Sequence, residues 1–251
     1  MTAEVRSTGI DETKQNRICD TYVALDLETT GLNPKEDSII EIGAIKVIGG
    51  QAADTYSAFV SPAKQLSERV SKLTGITQKD LEQAVQPEQA VSEILDFIGE
   101  LPLLGHRILF DFSFLKRAAV NQKLSFEKEG IDTLRIARCV LPELPSKRLE
   151  ALCGHYGISY RAHRAYEDAA ATVKLYEKLT EQFYREETAE IFRPAKLVYK
   201  VKRESPATKH QKERLRELIE RHGLTVDYDV DKLTRNQASR YMDKIWEQYG
   251  R

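Results

Sequence analysis

The sequence predicts an α/β fold: a mixed sheet with helices packed on its faces, followed by a small C-terminal helical domain. Three observations predict it. Apolar runs rich in β-branched residues crowd the chain up to residue 60. Strand-like and helix-like periodicities then alternate as far as residue 187. Beyond a basic connector, two amphipathic helical patterns stand by themselves.

Residues 1–19 are polar and aperiodic and read as a flexible arm. The apolar run YVALDL, 22–27, is strand one. IIEIGAIKVIG, 39–49, is strand two, and 55–60 is strand three. Gly49 and Gly50 turn the chain between them, so the three form an antiparallel meander. Ser67, Thr77 and Ser92 stand where helices could begin within 66–99, and LEQAV and VSEILDFIGEL carry helical spacing. PLLGH, 102–106, is a short buried strand. In 110–123 Phe110, Phe114, Leu115 and Ala118 recur at helical spacing, with Asp111 at an N-cap position. IDTLRIARCVL, 131–141, reads as a strand feeding a helix, and 147–157 as a helix closed by Gly157. The longest helical pattern of the body runs through 165–187.

The connector, 188–207, is basic, holds Pro194 and Pro206, and contains one β-like run, LVYKV. Two helices, 208–222 and 234–249, complete a module near the lower size limit for independent folding. Trp246, Tyr241 and Tyr249 are its core or a docking face.

The 251 residues suit one ordinary domain and an appendage. Hydrophobic residues at 41% and charged residues at 31% describe a water-soluble globular chain, and no apolar run approaches the ~20 residues a membrane helix needs. Three cysteines without CxxC spacing indicate neither a disulfide framework nor a zinc site, so a cytoplasmic, reducing compartment is expected. Cys139 and Cys153 lie in apolar helical patterns and are expected in the core. Net charge is −1, yet residues 193–251 hold 15 Lys and Arg against 9 Asp and Glu. An acidic body with a basic tail is a clue to polyanion binding.

Chemistry is suggested first at the end of strand one. Asp26 and Glu28 are two apart, so both face the same side of the strand. Two such carboxylates repel unless a hard divalent cation such as Mg²⁺ or Mn²⁺ lies between them. The plain alternative is a strand running into a solvated acidic turn. Asp111 alone is a helix cap. Asp168 alone is a first-turn carboxylate that favours the helix dipole. His163 stands five before Asp168, in the loop where an imidazole can reach a substrate water. His106 reads as a buried histidine bonded to backbone, and Phe110, Phe112 and Phe114 read as core, with one ring available to a base.

The ordered series DLETTGL, LTGIT, GH…FD..FL, IDTL..AR and HRA..DA..T resembles the DEDD exonuclease superfamily in its DEDDh (DnaQ-like) branch. The likeness covers about residues 20–185 and is greatest to the PolC-type and epsilon-type proofreading exonucleases of bacterial DNA polymerase III. The sister branch has Tyr four before the last Asp, where this chain has Arg164; His163 fits the histidine branch. The resemblance implies a ribonuclease H-like fold and hydrolysis of nucleic acid from 3′ ends to 5′-mononucleotides. It implies two divalent cations, Mg²⁺ or Mn²⁺, held by Asp26, Glu28, Asp111 and Asp168, with Asp26 shared, and His163 as general base. Thr29, Thr30, Gly31, Leu32, His106, Arg107 and Phe110 are the candidate substrate-binding residues. One departure stands out: the family usually has Asn after the histidine of GH, and here Arg107 follows. Thr29, where oligoribonuclease relatives carry Met, favours DNA over RNA. The C-terminal text ATKHQKERL and LTRNQASRYMDKI resembles a small module appended to some bacterial DNA-metabolism proteins, so DNA or a replication or repair protein is its expected partner. The competing readings are an RNA-trimming exonuclease and a non-catalytic nucleic-acid-binding scaffold.

Overall fold

A computed structural model describes residues 18–62, 65–201 and 205–250. The expected N-terminal arm falls, for residues 1–17, outside the described residues, as do Lys202 and Arg203 of the connector. Strand β1 (Tyr22–Thr29) lies in the interior of a six-stranded sheet of order β3-β2-β1-β4-β5-β6. It pairs antiparallel with β2 (Ile39–Ile48), which pairs antiparallel with the edge strand β3 (Gln51–Phe59). Gly49 and Gly50 make the two-residue turn, both with positive φ, 58° and 77°. Such a turn needs left-handed backbone at both positions, which glycine supplies without steric cost. β3 therefore starts four residues earlier than its composition suggests. Its first residues, QAAD, are exposed and join the sheet through backbone pairing.

Helix α1 (Glu68–Thr74) is capped as expected, Ser67 Oγ accepting from the Val70 amide. LEQAV is not helical. Leu81 closes a turn, and Val85 bridges to Val60. The helix here is α2 (Pro87–Ile98), with proline at its first position and Ser92 inside it. Next come β4 (Leu103–Gly105), parallel to β1, and α3 (Leu109–Asn121). Then follow β5 (Glu129–Asp132), parallel to β4, α4 (Thr133–Val140), α5 (Leu149–His155) and α6 (Ala165–Phe183).

Alternation along β1 divides the core in two. Val23, Leu25 and Leu27 pack with α2 and α3 through Ile94, Phe112 and Leu115. Tyr22 and Ala24 pack on the opposite face with α4, α5 and α6 through Ile136, Leu152 and Leu175. Cys153 belongs to that second core, whereas Cys139 is exposed, because its position on α4 turns outward.

The start of the connector is docked. A short helix α7 (Ala189–Phe192) buries Phe192 beside Tyr176, and β6 (Ala195–Lys196) pairs with β5. LVYKV forms no strand. Leu197 instead sits in the first core, its amide bonded to Lys128 O. The C-terminal module joins α8 (Lys209–Arg221) to α9 (Arg235–Tyr249). Both helices open with the same capping box, Thr208 with Gln211 and Thr234 with Gln237. Leu215, Leu218, Met242 and Ile245 form its core, Trp246 and Tyr241 pack against it, and Tyr249 is exposed. Arg240 reaches Glu36 of the body at 2.6 Å.

The tightest approach in the body is between β2 and α6. A Cβ on Gly43 would lie 2.1 Å from Tyr166 N and 2.2 Å from Ala165 C, backbone atoms that have no rotamer to move. Gly43→Ala should therefore lift the start of α6 and cost at least about 1–3 kcal/mol, lowering the melting temperature by several degrees. Gly154→Ala, inside α5 with open space at its Cβ position, should instead gain about 0.5–1 kcal/mol. Thermal melts of the two variants check this, and a Gly43→Ala protein that melts with the wild type would refute the close approach.

Candidate active site

β1 delivers its two carboxylates to one face. Asp26 and Glu28 continue the parity of Tyr22 and Ala24 and so point toward α6. Asp168, on the first turn of α6, meets them there. One carboxylate oxygen from each of Asp26, Glu28 and Asp168 lies within 4.8 Å of the others. Asp111 comes from the opposite face of the sheet. It is not the N-cap of α3, which starts earlier, at Leu109. It lies in the first turn, 3% exposed, and its Oδ1 accepts from the Leu27 amide at 3.1 Å. That bond holds α3 to the end of β1. A cavity of about 210 Å³ is lined by all four acids with His163, His106, Arg107, Phe110, Leu27 and Leu32.

Burial raises the pKa of all four carboxyls, and neighbouring acids add to it at Asp26, Glu28 and Asp111. Burial and then the charges of Asp111, Asp168 and Glu28 hold Asp26 well above the usual carboxylate range. Burial raises Asp111, against the hydrogen bonds it accepts from backbone. Glu28 is pushed up to about 8 by burial, then by Asp168 and Glu41, with Arg164 opposing. Asp168 is raised by burial, while the Arg164 amide and the Tyr160 hydroxyl favour its charged form. Together these carboxyls form an oxygen-rich pocket with surplus negative charge, which is what a hard divalent cation prefers.

His163 is exposed at the rim of the cavity with a φ of 64°. Arg107 also sits in the left-handed region, φ 74°, and its amide donates to Asp132 Oδ1 at 2.9 Å. Asn enters that region more readily than Arg, which gives a backbone reason for the family's usual Asn here. Its guanidinium lies over the Phe110 ring at 5.8 Å, on the cavity wall. Phe112 and Phe114 are core, and Phe110 is half-buried. His106 has both ring nitrogens engaged, Nε2 with Lys147 O at 2.8 Å and Nδ1 with Thr133 Oγ1 at 2.9 Å. A carbonyl only accepts, so Nε2 carries the proton, and burial keeps the ring neutral. Its role is to hold the loop after β4.

Thr29, the last residue of β1, and Thr30 and Gly31 in the turn after it do not line the cavity. Thr29 Oγ1 donates to Gly31 O, and Thr30 Oγ1 accepts from the Ser38 amide. Leu32, 81% exposed, stands at the mouth. Three residues escaped the sequence reading. Glu41 and Tyr160 touch the machinery around Asp168, and Asp132 holds both Arg107 and the start of α4. Asp132 had a legible signal, an acid directly before a helical pattern.

A model of the exonuclease family RNase_T matches residues 23–176. The PolC-type DNA polymerase III of Thermotoga maritima is 38% identical over 163 residues, which cover 64% of this chain and 12% of that protein. The matched stretch is thus a small part of the PolC-type relatives. The DNA polymerase III subunit epsilon of Aquifex aeolicus is 30% identical over 173 residues, 68% of this chain and 86% of that subunit. Two solved structures share the fold. Escherichia coli exonuclease I in complex with a dT13 oligonucleotide has a TM-score of 0.59 at 21% identity, covering 64% of this chain and 41% of that one. The nuclease domain of 3′hExo, a DEDDh family member bound to rAMP, has a TM-score of 0.59 at 21% identity, covering 71% and 98%. With the family model spanning more than half of the chain and the epsilon subunit covered over most of its length, this protein belongs to the RNase_T exonuclease family.

Proposed function

We propose that the chain is a divalent-metal-dependent 3′→5′ exonuclease acting on DNA and releasing nucleoside 5′-monophosphates. The observation that carries this reading is the convergence of Asp26, Glu28 and Asp168 within 4.8 Å, with Asp111 and His163 on the same cavity. In this reading Asp26, Glu28, Asp111 and Asp168 would hold two cations, Mg²⁺ or Mn²⁺. Bound there, the cations would neutralise charge growing on the attacking and leaving oxygens. His163 takes the proton of the attacking water. Phe110 and Leu32 offer apolar surface to the terminal base, and Arg107 offers charge to a phosphate. DNA is favoured over RNA because a relative covered over 86% of its length is a DNA polymerase III subunit. No helix among the described residues is long and apolar enough to cross a membrane, and we place the protein in the cytoplasm.

We also assign substrate affinity to the connector before the helical module. Much of the module's charge is paired internally, as in Arg216 with Asp231 and Arg214 with Glu217. Arg193, Lys196 and Lys200 precede Lys202 and Arg203 in a run whose sequence holds no acid, although Arg193 itself pairs with Glu190 of α7. A replication or repair protein is the other candidate partner of the module.

Polarity is tested with end-labelled oligonucleotides in Mn²⁺. Single-stranded DNA with a free 3′-hydroxyl should shorten from that end, faster than RNA of the same sequence, and a 3′-phosphate should slow it severalfold or more. Equal rates on blocked and free ends, or first products from the 5′ end, would overturn the assignment, and faster loss of RNA would move it to RNA trimming.

Metal dependence has a second readout in stability. Glu28 is raised from 4.5 to about 8, so the metal-free fold prefers its protonated form. The stability tied to that proton is complete below 4.5 and is lost as pH climbs through about 8. The other three acids shift in the same direction. Added Mg²⁺ or Mn²⁺ should therefore raise the melting temperature much more at pH 8 than at pH 5.5. An equal shift at both pH values, or none at either, would count against cation binding by these carboxylates.

A further inference from the structure

Glu41 lies on β2, directly opposite Glu28 in the strand register, and is 1% exposed. A carboxylate that deep must have its charge answered. Arg164 does so with two nitrogens, Nε and Nη2, at 3.1 and 2.8 Å from Oε1. The other oxygen accepts the amide of Ala165, the first residue of α6, at 3.1 Å. α6 has no side-chain cap of its own, since its N-cap residue is Arg164. Glu41 therefore caps the helix from another strand, 124 residues away in sequence. The Arg164 amide meanwhile donates to Asp168 Oδ2 at 3.0 Å. The residue clamped from both sides is the direct neighbour of His163, whose left-handed backbone is costly for a residue with a side chain.

We propose that Glu41 and Arg164 form a positioning pair that holds the His163 backbone in its left-handed turn, so that the imidazole faces the acidic cluster. This rests on the reading of His163 as general base. Neither residue lines the cavity that holds the acids. The pair ties the turn to β2, the strand hydrogen-bonded to the one carrying Asp26 and Glu28, so base and carboxylates share one rigid frame. Small displacements of a catalytic group cost much rate. Losing the clamp should thus lower kcat and leave KM within about twofold, since Arg107, Phe110 and Leu32 lie on other elements.

The test is a double-mutant cycle on the full chain with a single-stranded DNA oligonucleotide and Mn²⁺. Arg164→Met removes the fork, Arg164→Lys keeps its charge, and Glu41→Gln removes the buried acid. Folding is followed by thermal melting and metal retention by Mn²⁺ titration. His163→Ala should lose about a hundredfold or more in kcat. Arg164→Met should lose about tenfold or more in the wild-type background and under twofold when His163 is already Ala. Arg164→Lys should lose less and show the same masking. Equal losses in both backgrounds for any variant that folds would overturn the proposal, because the pair would then act through Asp168 or the fold at large. A His163→Ala enzyme as fast as the wild type would instead overturn the reading of His163 on which the proposal rests.

Discussion

Four carboxylates meet at one end of β1, and this protein is built around their mutual repulsion. Burial pushes each of them above its ordinary pKa, and neighbouring carboxylates add to the rise at Asp26, Glu28 and Asp111. The positive side chain that eases Glu28, Arg164, is already committed to Glu41. A cluster of this kind costs folding energy, and proteins keep such clusters where a bound cation offsets the cost. The architecture then follows. β1 is interior to the sheet, so helices on both faces can reach its end. α6 brings Asp168 from one side, α3 brings Asp111 from the other, and the Leu27 amide ties the second to the strand.

Two non-glycine residues beside the cavity, Arg107 and His163, sit in the left-handed region. Each is held by a carboxylate outside the acidic cluster: Arg107 through its amide to Asp132, His163 through its neighbours to Glu41. Magnitudes separate these bonds from the decorative ones. An exposed pair such as Arg240 with Glu36, 43% and 49% exposed, is worth under about 1 kcal/mol. Breaking the pair of Glu41 with Arg164 costs more, because Glu41, buried beneath a partly exposed Arg164, is left as a charge without its partner. The Arg240–Glu36 pair thus adds little to the seating of the module, while the turn carrying His163 is tied to β2 through Glu41.

Much of this was legible in the sequence. β1, β2, α6 and the two capped C-terminal helices follow from apolar period and cap residues. The spacing of Asp26 and Glu28 foretold their common face. The misses share a cause, which is that backbone or a distant partner decided the outcome. QAAD became strand by pairing with β2, although its residues favour no strand. LEQAV has helical spacing yet too few residues to nucleate against the Val60–Val85 bridge. Cys139 looked apolar in pattern and faces water. Asp111 looked like a cap, but its partner is an amide 84 residues away. Glu41 carried no signal at all, because only the folded sheet brings it to α6.

On the proposed reading, this protein tolerates an unfavourable carboxylate cluster in order to bind cations. Asp26→Asn tests it most directly, since it removes one charge and keeps the shape. Melting of the metal-free protein at pH 8 and calorimetric titration with Mn²⁺ should be measured on both proteins. The variant should melt higher than the wild type without metal, bind Mn²⁺ at least tenfold more weakly, and gain little stability when metal is added. A variant that melts lower without metal and still binds Mn²⁺ as the wild type does would contradict the account.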